Sequence, residues 1–315
     1  MFAYESLVRC PSAFRSLTGM TPAEFEPLLT AFRAAQDRLR QGSHTTRRGQ
    51  PRRRAAGAGH PCRYDDRHRL LLALVWLRLY PTYELLGFFF GLHKRNAQLN
   101  VRAVLDVLST LDGFPFDGPG PERKPLRSAA EVMTAFPEVR VIIDSKEQRV
   151  NRPTGYETQK PYYSGKKKAH TVKTQVVVDP CGRIEGLSDS VPGGAHHDLP
   201  LLCGSGVLEQ LGPGEAAMVD KGYVGVANYF PDVPVVIPFK ASRGHPLTEV
   251  QQAYNRKVAR YRIVVEHTMA QLNRFTVLRQ VFRGRQRSRH GQVIRVVAKL
   301  VNRRLLAKPL KTYAA

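Results

Sequence analysis

Two short runs of apolar, mostly β-branched or small residues constrain the fold of this chain more than anything else in it, because each stops on an aspartate. Val139–Ile143 leads into Asp144, and Ala216–Val219 leads into Asp220. Runs of this length bounded by turn formers read as buried strands. Between them lie Thr171–Val178 and Arg183–Ser190, two further strand-like stretches joined by the turn Asp179-Pro180-Cys181-Gly182. Their tight connections predict an antiparallel meander. Asp198–Leu211 reads as a helix, and Val233–Ile237 as a fifth, short strand. Thr248–Val281 reads as a long helix that carries Glu266, and Ser288–Leu306 as a closing helix studded with Arg and Lys.

The order is β-β-β-α-β-α-β-α. It predicts an α/β domain of the ribonuclease-H-like type over residues 131–315, with a mixed five-stranded sheet whose first three strands are antiparallel. In that architecture the first and fourth strands are central neighbours. Asp144 and Asp220 then sit side by side, and the helix after the fifth strand can present Glu266 to the same spot. Carboxylates crowded in this way raise one another's pKa, and a hard divalent cation removes that cost. Two such ions, Mg²⁺ with Mn²⁺ as the alternative, held about 3.5–4 Å apart can activate a water or a 3′-hydroxyl and stabilise the leaving oxygen of a phosphodiester. Asp144, Asp220 and Glu266 are therefore the candidate metal ligands and catalytic residues. Each has a plainer role available alone: Asp220 as a turn residue, Asp144 as a strand end, Glu266 as the partner of Arg262 one turn earlier. The three in this order, on these elements, favour chemistry.

Charge points the same way. The chain has 49 Lys and Arg against 26 Asp and Glu, a formal net charge of +23. Such a surface concentrates polyanions, and counterion release from nucleic acid would supply affinity. A membrane-surface or ribosome-associated protein can be equally basic, but neither needs acids at a sheet centre. The hydrophobic content of 42% is enough for a packed core and excludes a disordered chain. Cys10, Cys62, Cys181 and Cys203 are scattered and form no CxxC pair, which fits a reducing compartment better than a disulfide framework. A zinc site from Cys181, His196, His197 and Cys203 lacks paired-ligand spacing. Met1–Arg9 has no signal-peptide pattern, and the longest apolar run, Leu70–Leu77, is far short of the ~20 residues of a membrane span. A cytoplasmic, nucleoid-associated protein with no membrane contact is expected.

Residues 1–112 read as an all-α region. Thr21-Pro22-Ala23-Glu24 is a capping-box sequence with proline at the first helical position. Residues 38–63, with Arg52-Arg53-Arg54, read as a basic arm or a solvated linker. After the apolar helix around Trp76, stopped by Pro81, a short helix from Tyr83 to Phe90, Gly91 and a helix from Lys94 to Leu108 have the dimensions of a helix-turn-helix. Lys94, Arg95, Asn96 and Gln98 at its second helix are able to read base edges or hold phosphates. Residues 113–130, opening on a Gly- and Pro-dense stretch, read as a linker.

Further candidates for DNA contact are Lys166, Lys167, Lys168 and Lys173, which lead into the second strand, with His170, His197 and Lys221 near the carboxylates. Arg262 lies at i, i+4 from Glu266 and could hold a phosphate, orient the carboxylate or form a plain salt bridge. Arg274, Arg283 and Arg285 belong to a basic stretch that runs on to Arg289.

Several of these segments resemble one family. Arg69–Arg78, Tyr163-Ser164-Gly165-Lys166-Lys167-Lys168-Ala169-His170-Thr171-Val172-Lys173, Pro192-Gly193-Gly194-Ala195-His196-His197-Asp198, Val219-Asp220-Lys221-Gly222-Tyr223 and Arg262-x-x-x-Glu266 are similar to motifs of DDE superfamily endonucleases of the insertion-sequence-five type, related to the Harbinger transposases. The chain departs from them in having Lys146 where a threonine follows the first carboxylate, and Ala259 and Asn273 where a tyrosine and a lysine flank the third, with Arg274 adjacent. The resemblance implies a bacterial DNA transposase. Such an enzyme hydrolyses one strand at the terminal inverted repeats of its element and joins the freed 3′-hydroxyl to target double-stranded DNA. It works as a homodimer or larger synaptic assembly.

Overall fold

The computed structural model describes residues 2–42, 64–112, 136–284 and 286–307. The expected linker at 113–130 and most of the expected basic arm lie outside the described residues. The arm's first residues, Arg38 to Gly42, prolong a helix instead of starting a loop. The chain forms two compact units. One is built on residues 2–112 with 274–279 and 295–307, the other on 136–273 and 280–294.

The first unit is helical: α1 (Tyr4–Val8), α2 (Pro11–Thr18), α3 (Pro22–Gly42), α4 (Asp66–Leu79), α5 (Tyr83–Phe90) and α6 (Lys94–Ser109). The capping box forms in both directions: Thr21 N donates to Glu24 Oε2 at 2.7 Å and Glu24 N to Thr21 Oγ1 at 3.2 Å. Asp65 caps α4 by accepting from His68 N, and Thr82 caps α5 by accepting from Leu85 N. Leu70 to Leu77 are all buried, so α4 is apolar all round and serves as the central helix of the unit. Between α5 and α6 the chain turns at Gly91, whose φ of 61° is left-handed and favours glycine.

The second unit is mixed α/β. Its strands are β1 (Val139–Arg149), β2 (Tyr163–Ser164), β3 (Ala169–Val178), β4 (Ile184–Leu187), β5 (Val191–Pro192), β6 (Ala216–Met218) and β7 (Val235–Val236). They form one sheet in the order β2-β3-β1-β6-β7, with β4 and β5 also paired to β3. β1 and β3 are antiparallel from Ile142↔Val178 to Arg149↔Thr171; β1–β6 and β6–β7 are parallel. The helices that matter for the site are α7 (Asp198–Cys203), α8 (Glu249–Asn273) and α9 (Arg287–Ala307), whose first residues, up to Ile294, belong to this unit.

Four expectations change. The sheet has seven strands instead of five, because β2 and β5 add two-residue pairings along the first half of β3. The expected third strand, Arg183–Ser190, is shortened: β4 stops at Leu187, where Ser188 Oγ takes a bond from Gln175 N. The helix expected over Asp198–Leu211 ends at Cys203, where Gly204 N and Ser205 Oγ fold back on the carbonyls of Pro200 and Leu202. The long helix ends at Asn273, with a separate short helix at Thr276–Arg279.

β1 also runs on past Asp144 to Arg149. Its polar second half has partners on both faces. Lys146 Nζ bonds Asn273 Oδ1 of α8, and Gln148 bonds the Gln280 carbonyl and the His290 ring. On the opposite face Ile143 packs with Val141, Val177, Leu202, Val219 and Tyr223 in a buried core cluster. The strand is thus gripped by polar contacts on one side and apolar burial on the other.

Candidate active site

Register places the first two acids. Ile142 pairs with Met218 across the parallel β1–β6 ladder. Asp144 and Asp220 each come two residues later, where β6 has just ended, so both side chains emerge at the same level on strands about 4.8 Å apart. The carboxyl ends of parallel strands are where open α/β sheets bind ligands.

Asp144 is held from two sides. Ser145 N donates to its Oδ1 at 2.8 Å, and the Arg262 guanidinium of α8 lies 3.7 Å from its Oδ2. Arg262 is itself buried, at 9% exposure, and its Nη1 is 3.5 Å from the Ile143 carbonyl. Burial pushes the Asp144 carboxyl above the usual range. Arg262 and the Ser145 amide oppose that shift, while the charges of Asp220 and Asp198 add to it. Asp220 caps the turn Lys221–Tyr223, its Oδ1 accepting from Gly222 N.

Asp198 enters the same cluster from the start of α7, at the end of the Pro192–Asp198 segment. A Cβ on Gly222 would lie 2.9 Å from Asp220 Oδ1 and 3.0 Å from Asp198 Oδ2, so glycine is what lets these two acids approach. Lys173 Nζ, on β3, sits 3.0 Å from Asp198 Oδ1 and donates to the His196 carbonyl. Beneath them Gln175 Nε2 donates to the Asp198 carbonyl and to Tyr223 Oη, which also meets Ser145 Oγ at 3.0 Å. Burial drives the Tyr223 hydroxyl far above its ordinary pKa, so it stays protonated.

A family model described as DDE superfamily endonuclease matches residues 143–302, beginning one residue before Asp144 and taking in Asp198, Asp220 and Glu266. A probable transposase for insertion sequence element IS702 from Microchaete diplosiphon is 30% identical over 243 residues, 76% of this chain and 81% of the relative. The chain belongs to the DDE transposases. No solved structure gives a significant match. As a DDE transposase it is an enzyme whose partner is DNA. Among the described residues no helix is long and apolar enough to cross a membrane.

DDE endonucleases generally use divalent metal ions. The chemistry of two residues suits one: Asp144 and Asp220 would offer hard carboxylate oxygens at one level, and the raised pKa of Asp144 is the cost that a cation would relieve. Among the described residues, however, no group of three or more His, Cys, Asp or Glu is gathered closely enough to hold a metal. Glu266 does not join the two aspartates. It is exposed on α8, one turn beyond Arg262, so the helix delivers the arginine, not the glutamate, to Asp144.

The other candidates are dispersed. Lys94, Arg95 and Asn96 are exposed at the start of α6, with Lys94 Nζ 3.5 Å from Glu84; Gln98 is half-buried. Lys166, Lys167 and Lys168 form an exposed turn before β3, and His170 packs edge-on against Tyr163. His197, Lys221, Arg274 and Arg283 are exposed, and Arg285 lies outside the described residues. Lys173 departs most from expectation. Expected to face DNA, it is 9% exposed and turned to Asp198. Sequence reasoning gave no role to Asp198; the only signal was its place at the end of the Pro-Gly-x-x-His-Asp segment.

Proposed function

We propose that this DDE transposase, of the insertion-sequence-five type, cleaves DNA at the terminal inverted repeats of its element and transfers the freed 3′-hydroxyl into target DNA. Asp144, Asp220 and Glu266 are its catalytic acids on a ribonuclease-H-like domain over residues 131–315. The observation that carries the reading is the level placement of Asp144 and Asp220 where β6 ends. Two divalent cations, Mg²⁺ foremost, would supply activation of the nucleophile and stabilisation of the leaving oxygen when bound by these carboxylates.

The chain's own residues prepare that site. Arg262, 3.7 Å from Asp144, opposes the rise that burial imposes on its carboxyl. The Ser145 amide fixes the orientation of Asp144, and the Gly222 amide does the same for Asp220. Glu266 comes into play with DNA present, entering from the exposed face of α8. The 1–112 region, with its helix-turn-helix at α5 and α6 and the basic residues at 43–63, holds the element end through Lys94, Arg95, Asn96 and Gln98. Lys166, Lys167, Lys168, His170, His197, Lys221, Arg274, Arg283 and Arg285 contact phosphates. Two element ends require a homodimer or larger synaptic assembly, at work on the bacterial nucleoid.

The test is Asp220→Asn, with Glu266→Gln beside it. Both variants should lose cleavage of an element-end duplex while retaining the wild-type dissociation constant for that duplex. Cleavage persisting in Asp220→Asn removes the catalytic assignment. Joined products from pre-cut ends separate a transposase from a nuclease that only hydrolyses.

A further inference from the structure

Two buried acceptors near the carboxylate cluster lack a hydrogen-bond donor. They are Asp198 Oδ1 and the side-chain oxygen of Gln175, a residue at 1% exposure. The Lys173 ammonium forms an ion pair with Asp198 Oδ1 at 3.0 Å and also donates to the His196 carbonyl. The other oxygen of Asp198 faces Asp220 Oδ1 across the bare Cα of Gly222, each within 3.0 Å of the place a Cβ would take. Two carboxylates thus meet over a glycine, with one ammonium on Asp198 and the unpaired Gln175 oxygen buried nearby.

From this juxtaposition we propose that Asp198 is a further metal-contacting carboxylate, which shares a divalent cation with Asp220, and that Lys173 is the counter-cation that holds Asp198 while the metal is absent. The inference rests on the metal-dependent reading above and deepens it. Asp198 reaches Asp220 from the side of α7 and Tyr223, whereas Arg262 reaches Asp144 from α8, so the two acids have different cationic partners. Metal entry at Asp220 competes with Lys173 for Asp198 but leaves the Arg262–Asp144 pair in place. A merely structural Lys173–Asp198 pair would make the lysine helpful to the site. A counter-cation makes it a competitor.

That difference in sign is the test. Mn²⁺ is titrated into the full-length, DNA-free protein, and free Mn²⁺ is followed by electron paramagnetic resonance. Asp198→Asn should weaken binding about tenfold, about 1.4 kcal/mol, with Asp198→Glu recovering part of it. Lys173→Gln should tighten binding. Circular dichroism melts identify any variant that fails to fold; Lys173→Gln and Asp198→Glu then carry the result. Unchanged affinity in folded Asp198→Asn, or weaker binding in Lys173→Gln, overturns the proposal. Asp144→Asn and Asp220→Asn are run in parallel. If they weaken Mn²⁺ binding and Asp198→Asn does not, only this inference falls; if neither weakens it, the metal-dependent reading falls with it.

Discussion

Acid should loosen the domain through His290. The ring is 1% exposed at the start of α9, with Nδ1 2.7 Å from Ser190 Oγ and Nε2 2.9 Å from Gln148 Oε1. Burial, helped by the charge of Lys146, pushes its pKa from 6.5 down to about 3. The folded pKa is lower than the unfolded one, so the unfolded chain binds the extra proton between those values. The stability from the neutral ring is therefore complete above pH 6.5 and is lost as pH falls towards 3. At 1.36 kcal/mol per pH unit, the loss between neutrality and about pH 5 comes to roughly 2 kcal/mol. His290→Gln keeps a polar side chain that cannot titrate. Urea unfolding curves at about pH 7.5 and pH 5 should show the wild type losing roughly 2 kcal/mol more than the variant. Equal losses in the two proteins would refute the reasoning, since the ring would then be protonated in both states or in neither.

Two other perturbations address the site and the DNA surface. Gly222→Ala puts a methyl group 2.9 and 3.0 Å from oxygens of Asp220 and Asp198; a carboxylate displaced by about 1 Å costs on the order of 100-fold in rate. Cleavage should fall to that degree while the melting temperature changes little, and a rate within threefold of wild type contradicts the close approach. Replacing the exposed Lys166, Lys167 and Lys168 together by Ala should flatten the salt dependence of DNA binding, by up to about 0.9 in log–log slope for each phosphate contact removed. An unchanged slope would mean that the turn faces away from DNA.

The apolar runs before Asp144 and Asp220 were legible because a buried strand is a local pattern of β-branched residues. The second half of β1 was not. Its Lys146 and Gln148 side chains are satisfied by Asn273, Gln280 and His290, all more than a hundred residues away. No hydrophobic period marks such a strand. Lys173 misled for a related reason. Five residues after a run of lysines it reads as a phosphate ligand, and only the fold brings Asp198 to it. Glu266 shows the limit on helices: spacing gives the face a residue shares with Arg262, but not which of the two points at β1. Asp198 was visible only as the end of a motif, because its chemistry comes from an approach over Gly222 that spacing does not encode.

A strand clamped along both faces cannot shift one residue without losing all its partners together. β1 is clamped in this way on either side of Asp144, so that acid is the fixed datum of the centre. Any adjustment as substrate and ions arrive falls to the turn bearing Asp220 and to the outward-facing Glu266. On the function proposed above, the chemistry is assembled around an anchored first acid, and changes in the elements that bring up the other acids would retune the enzyme without rebuilding its sheet.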